Sequence, residues 1–167
     1  MSHISSGVEY GLHCLLYLID APEGGSAASA RDLAALQGLP AEFLAKIFTK
    51  LQKPGLVATS ERMTGGLRLA RRAEDVSMLD VIRAIDGEKK LFDCKEIRGR
   101  CALLPPGLRF DSTCSIHAVM LEAEQRMQES LAGHSLASIA AQLDQKAPAL
   151  APAATLWLQD RIANRRS

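Results

Sequence analysis

Between Ser29 and Pro54, two stretches of helical apolar spacing are separated by only three residues, Gly38-Leu39-Pro40. That junction constrains the fold more than any other feature of the chain. A connection so short makes the two helices spatial neighbours that cross at a steep angle. Ser29 is placed to cap the first of them, Ala30–Gln37, and Gly38 to stop it in a left-handed turn. Leu39-Pro40 then opens a second helix running to about Lys53, because proline is tolerated where a helix begins. Its apolar positions Leu44, Ile47, Phe48 and Leu51 fall on one stripe, and Pro54-Gly55 ends it.

The flanking segments complete a recognisable order. Residues 6–20 place Val8, Leu12, Leu15 and Ile19 at helical intervals, with Pro22 and Gly24-Gly25 as the stop. After the central helix, residues 56–59 and 67–69 read as two short strands across a tip that includes Gly65-Gly66. Ser77 caps a further helix, Met78–Ile85, closed by Gly87. Helix, short helix, tight turn, helix, two-stranded wing is the order of a winged helix-turn-helix. The expected fold is therefore mostly α with a small β-wing. Residues 88–114 then lose all periodicity, residues 115–132 return to a strong helix, and weaker helices follow near 136–143 and 153–164. Only 4% of the 167 residues are aromatic and Ala and Leu dominate, which argues against a β-sandwich.

Net charge is only +1, but its distribution is uneven. From Lys46 to Arg72 there are seven basic residues and a single acid, Glu61, a net charge of +6 against about −5 for the remainder. A basic module set in an acidic remainder suits nucleic acid. A helix of this kind fits the major groove, where base edges are readable. Its outward positions include Ala41, Glu42, Ala45, Lys46, Thr49 and Lys50, and the wing offers Arg62 and Arg68 for a minor groove or the backbone. The same surface could instead hold a protein partner, as in an interaction adaptor. No nucleophile–base pairing and no phosphate-binding glycine loop points to an enzyme. No secretory signal or membrane-length apolar run is visible, so a cytoplasmic protein without a membrane partner is expected.

In that compartment the four cysteines read as metal ligands, redox centres or buried thiols rather than as structural disulfides. Three of them fall in the aperiodic segment with the pattern Cys94-x6-Cys101-x12-Cys114-x2-His117. Thiolates suit iron–sulfur clusters or zinc. Glu9 and His13 lie four residues apart and so share one helix face, a pairing that by itself is usually solvent-facing. Cys14 reads as a small buried apolar residue.

The run from Arg31 to Gly87, RDLAALQGLPAEFLAKIFTKLQKPGLVATSERMTGGLRLARRAEDVSMLDVIRAIDG, resembles the winged-helix iron–sulfur regulators that include IscR, NsrR and RsrR. The resemblance extends from the start of the chain to about Arg126, and GVEYGLHC is similar to the first helix of the RsrR branch. It departs in having Leu67 where an aromatic usually follows the wing glycines, and in a wider cysteine spacing. The resemblance implies a dimeric regulator, expected to be a repressor, that binds a double-stranded operator of near two-fold symmetry. Together with the periodicity above, it divides the chain into an expected DNA-binding domain (1–87), a cluster-binding loop (88–114), a dimerisation helix (115–134) and a helical tail (135–167). It also implies a redox-sensing [2Fe–2S] cluster bridging the subunits, with Glu9 and His13 from one and Cys101 and Cys114 from the other. Cys94 and His117 are the less favoured ligands, and a [4Fe–4S] cluster on three thiols is the alternative cofactor. A cluster-free regulator using the same thiols in disulfide or sulfenate chemistry is the competing expectation.

Overall fold

A computed structural model describes residues 4–19, 28–59, 66–105 and 107–164. Helix α1 spans Ser6–Leu16, α2 Ala30–Gln37 and α3 Ala41–Gln52. Strands β1 (Val57–Thr59) and β2 (Leu67–Leu69) pair antiparallel, with Val57 opposite Leu69 and Thr59 opposite Leu67. Helix α4 covers Met78–Asp86, α5 Ser115–Ala132, α6 Leu136–Lys146 and α7 Leu150–Asn164.

The caps explain why the short helices form where they do. Ser29 and Asp32 make a reciprocal capping box at the start of α2, and Ser77 and Asp80 make another at α4. Gly38 closes α2 with φ 66°, a left-handed conformation that a side chain would oppose. Leu44, Ile47, Phe48 and Leu51 are the buried face of α3, as their spacing predicts. Helix α1 is shorter than expected. It closes at Leu16 and passes into turns through Ile19, where Leu18 is still buried. Pro22, Gly24, Gly25 and Gly65 lie outside the described residues.

One core joins these elements. Val8 and Leu15 of α1, the α3 stripe, Val76, Val81 and Ile85 pack together with Leu136 of α6 and Leu158 and Ile162 of α7. Backbone bonds fasten the edges. Leu67 donates to the Ala28 carbonyl, adding residue 28 to the wing, while Met78 and His134, and Leu136 and Val76, tie α4 to the start of α6. Helix α5 differs from the rest, since none of its residues is buried. The expected stripe Ile116, Met120, Ala123 and Met127 is divided between two faces. Met120 and Met127 turn half-buried toward the body, whereas Ile116 and Ala123 are exposed beside exposed Val119. At 100° per residue the four positions lie within about 60° of one another, so the stripe straddles the boundary between the side that meets the body and the side left open.

Candidate functional site

Helix α3 presents Glu42, Ala45, Lys46 and Thr49 on the face opposite its buried stripe, all exposed. Thr49 Oγ1 donates back to the Ala45 carbonyl at 2.9 Å, which fixes its rotamer. Ala41 is half-buried and packs toward the core at the first turn. Lys50 lies on the flank rather than at the centre of this face, and its Nζ donates to the Ile85 carbonyl of α4 at 2.7 Å. That contact places a cation at the negative end of a helix dipole. Lys53 continues the outward face one turn beyond Thr49 and is exposed. It was not among the expected contacts, although the interval of seven from Lys46 points to it. On the wing, Arg68 is exposed at the centre of β2 with Nη1 3.3 Å from the Leu69 carbonyl. Arg62 lies outside the described residues.

The thiols form a second region. Cys101 is exposed, Cys94 and Cys114 are half-buried, and all are free. Cys114 is the N-cap residue of α5. The loop that carries them is fastened by Arg98. This guanidinium donates to the Glu96 carboxylate at 2.5 and 2.8 Å, donates to the Ser112 carbonyl at 2.9 Å, and lies 4.3 Å from the Phe110 ring centre. One side chain thereby joins the two limbs of the loop. The hydrogen bond from Arg98 holds the Glu96 carboxyl below its usual range. His117 is half-buried with its ring tilted against Phe92 at 6.0 Å.

Glu9 and His13 are both exposed on α1 and border an open groove of about 560 Å³. The groove is lined chiefly by Val8, Leu12, Met78, Ile82, Leu131 and Leu136. Among the described residues, no three of the His, Cys, Asp or Glu side chains of one chain gather as a metal site. The donors that fit an iron–sulfur cluster chemically are thus present, thiols on the loop and imidazole on α1, but a single chain does not assemble them. Cys14 stands apart, buried behind His13, with its thiol pushed up to about 12 by desolvation.

A family profile described as Rrf2, iron-dependent transcriptional regulator, matches residues 4–142. This chain belongs to the Rrf2 family. The family is described as one of transcriptional regulators, and the matched residues take in the helix-turn-helix and the wing. The Mycobacterium tuberculosis protein Rv1287, named provisionally as an HTH-type transcriptional regulator, is 38% identical over 84 residues, covering 50% of this chain and 52% of that protein. The chain spans about half the length of the curated relatives it matches.

Solved structures agree in fold. CymR, the global cysteine regulator of B. subtilis, superposes with a TM-score of 0.67 at 20% identity, covering 85% of this chain and 98% of that one. IscR from T. potens gives 0.64 at 23%, covering 87% and 91%. The oxidised form of Staphylococcus aureus CymR gives 0.59 at 22%, covering 83% and 96%. Nothing in these likenesses singles out the RsrR branch. No described helix is long and apolar enough to cross a membrane.

Proposed function

We propose that this Rrf2 regulator acts in the cytoplasm as a homodimeric repressor on a two-fold-related operator. Its affinity for that operator follows the redox state of a [2Fe–2S] cluster held between subunits, in the manner of RsrR. Glu9 and His13 of one subunit and Cys101 and Cys114 of the other are the assigned ligands. The observation that carries this reading is the position of Glu9 and His13, exposed one turn apart on the rim of an apolar groove. The exposed Ile116 and Val119 of α5 follow directly after Cys114. A second copy that covers its exposed α5 residues against α1 would bring the partner's Cys114 toward Glu9 and His13.

When bound, a cluster with mixed imidazole and thiolate ligation supplies a one-electron change of charge. The chain's own residues do the rest. Helix α1, which carries Glu9 and His13, packs against α3 and α4 through Gly11, Ile47 and Ile85. A displacement of α1 therefore bears on the reading helix. On DNA, Glu42, Lys46 and Thr49 face base edges and phosphates, with Arg68 and Ala41 at the margins and Lys50 held back on Ile85; Arg62, outside the described residues, is assigned to DNA from the sequence alone. Two such helices one DNA turn apart suit a palindromic site.

The test is the absorption spectrum, with iron and sulfide counts, of anaerobically purified protein beside His13→Ala and Cys94→Ala. A reducible [2Fe–2S] spectrum lost in His13→Ala and kept in Cys94→Ala is the expected result. The opposite pattern would mean ligation by the three loop thiols, as in a [4Fe–4S] site, and would withdraw the RsrR analogy. The exposure of free Cys101 favours one second reading, a cluster-free thiol regulator. In that case mild peroxide yields a reversible disulfide or sulfenate on the loop cysteines and no iron is recovered.

A further inference from the structure

Helix α7 lies wholly beyond residues 4–142, the part of the chain that matches the family. It is nevertheless built into the DNA-binding module. Ala154, Leu158 and Ile162, each four residues from the next, are its buried face, and α7 packs against α2. Helix α2 has only eight residues, too few to hold a position by intrinsic helicity, so packing and capping decide where it sits. The partner of Ser29 in its capping box is Asp32, a carboxylate 1% exposed. Asp32 Oδ2 accepts the Ser29 amide at 2.7 Å and the Ser29 hydroxyl at 2.6 Å, closing the first turn. Its other oxygen, Oδ1, stands 3.3 Å from Arg161 Nε of α7. Arg161 Nε is itself buried and makes no hydrogen bond among the described residues, so the contact with Asp32 is an ion pair. The same guanidinium lies 5.3 Å from the Trp157 ring centre, one turn back on α7.

We infer that α7 is a brace on the reading head, with Arg161 and Asp32 as positioning residues for DNA binding. Arg161 holds the capped end of α2, and α2 sets the angle of α3 across the Gly38-Leu39-Pro40 turn, since α2 and α3 are packed together. The ion pair is desolvated on the Asp32 side, and a buried charge depends strongly on its partner. Without Arg161 the turn that caps α2 loses a tether to α7, and α3 samples orientations that do not fit a groove. Neither residue touches DNA in this arrangement. The brace needs no metal and is independent of the ligands assigned to the cluster.

The test uses the full chain and the duplex that the unmutated protein recovers from a randomised pool. Arg161→Met keeps the aliphatic stem and removes the charge. Its affinity is expected to fall roughly tenfold at a temperature where circular dichroism shows it folded, with an unchanged slope of log K against log salt. Arg161→Lys, which keeps the cation, is expected to recover most of the affinity. Hydrogen exchange on the free protein reads the brace without DNA, and faster exchange confined to residues 33–39 is the expected signature. Should Arg161→Met be poorly folded, Trp157→Leu removes only the stacked ring and is expected to lower affinity less, in the same direction. Unchanged affinity and exchange in folded Arg161→Met would overturn the proposal. So would a drop in salt slope of about 0.9, which would make Arg161 a phosphate contact. If the unmutated chain recovers no duplex, the reading of DNA contacts fails, and uniform exchange across α2 and α4 in the variant would then overturn the brace separately.

Discussion

Tyr10 of α1 and Phe43 of α3 meet edge to face, with ring centres 5.9 Å apart and planes at 80°. Each ring sits beside a residue of proposed function, Tyr10 next to Glu9 and Phe43 next to Glu42. The pair therefore joins the helix that carries the proposed cluster ligands to the helix proposed to face DNA. An aromatic pair of this geometry contributes about 1 kcal/mol beyond its buried area. A double-mutant cycle of Tyr10→Leu and Phe43→Leu, read by urea unfolding, should return a coupling energy of that size. In Tyr10→Leu, operator affinity should also respond less to reduction and reoxidation. A coupling near zero would show that the rings are neighbours without energetic consequence.

Gly11 is a point of close approach between α1 and the helices α3 and α4. A Cβ there would stand 2.6 Å from Ile85 Cδ1 and 3.3 Å from Ile47 Cγ2. Both isoleucines are 4% exposed and have little room to yield. A glycine inside a helix costs about 1 kcal/mol relative to alanine, so Gly11→Ala sets a gain in propensity against a clash and should be nearly neutral. Gly11→Val adds branching at the point of contact and should lose roughly 2 kcal/mol in urea unfolding. A fully stable Gly11→Val would mean that the seam between α1, α3 and α4 has slack, and that α1 is a poor lever on α3.

The Asp86 carboxylate, at the last residue of α4, accepts the Ser5 amide at 2.8 Å and the Ser5 hydroxyl at 2.5 Å. Burial pulls its pKa up, but the two bonds from Ser5 and the nearby Lys89 outweigh burial and leave it below the usual 3.8. Because the folded value is the lower one, this stabilisation is complete above the unfolded value and is lost as the pH falls through the folded one. Asp86→Asn should therefore cost about 2 kcal/mol near neutral pH, the scale of a hydrogen bond to a charged group. The gap to the unmutated chain should close as the pH drops below about 3.8. Urea midpoints across that range would decide, and a gap that persisted into acid would mean that the carboxylate charge is not what holds α1 to α4.

The head of this protein was legible from local chemistry. Ser29, Gly38, Ser77 and Gly87 each state where a helix starts or stops, and the α3 stripe follows from one period. Three features were not legible, for one shared reason. The division of α5 into two faces, the anchoring of Lys50 on Ile85 and the docking of Arg161 on Asp32 all depend on contacts across 35 residues or more, or on a surface left for something else to cover. Periodicity shows that a helix has an apolar side, not which neighbour takes it. The thiols are the extreme case. Their spacing marks chemistry, but among the described residues one chain does not gather them into a metal site, and the site proposed above draws on two chains.

Lys46 and Lys50 look equivalent in the sequence, each an exposed lysine on the reading helix, but the structure separates them. Lys46 lies exposed on the outward face with Glu42 and Thr49, and in the proposed DNA complex its ammonium would neutralise a phosphate or meet a guanine edge. Lys50 already gives its ammonium to the Ile85 carbonyl at 2.7 Å, so engaging DNA would mean abandoning that bond. Lys46→Ala should weaken binding and lower the slope of log K against log salt by about 0.9, the loss of one released counterion. Lys50→Ala should leave that slope nearly unchanged and instead reduce stability by about 1 kcal/mol, through the lost cap on α4. Paired salt titrations and urea unfolding of the two variants measure both quantities. If the slopes fall equally, Lys50 leaves Ile85 on binding, and the C-terminal end of α4 becomes part of the DNA response rather than a fixed support for α3.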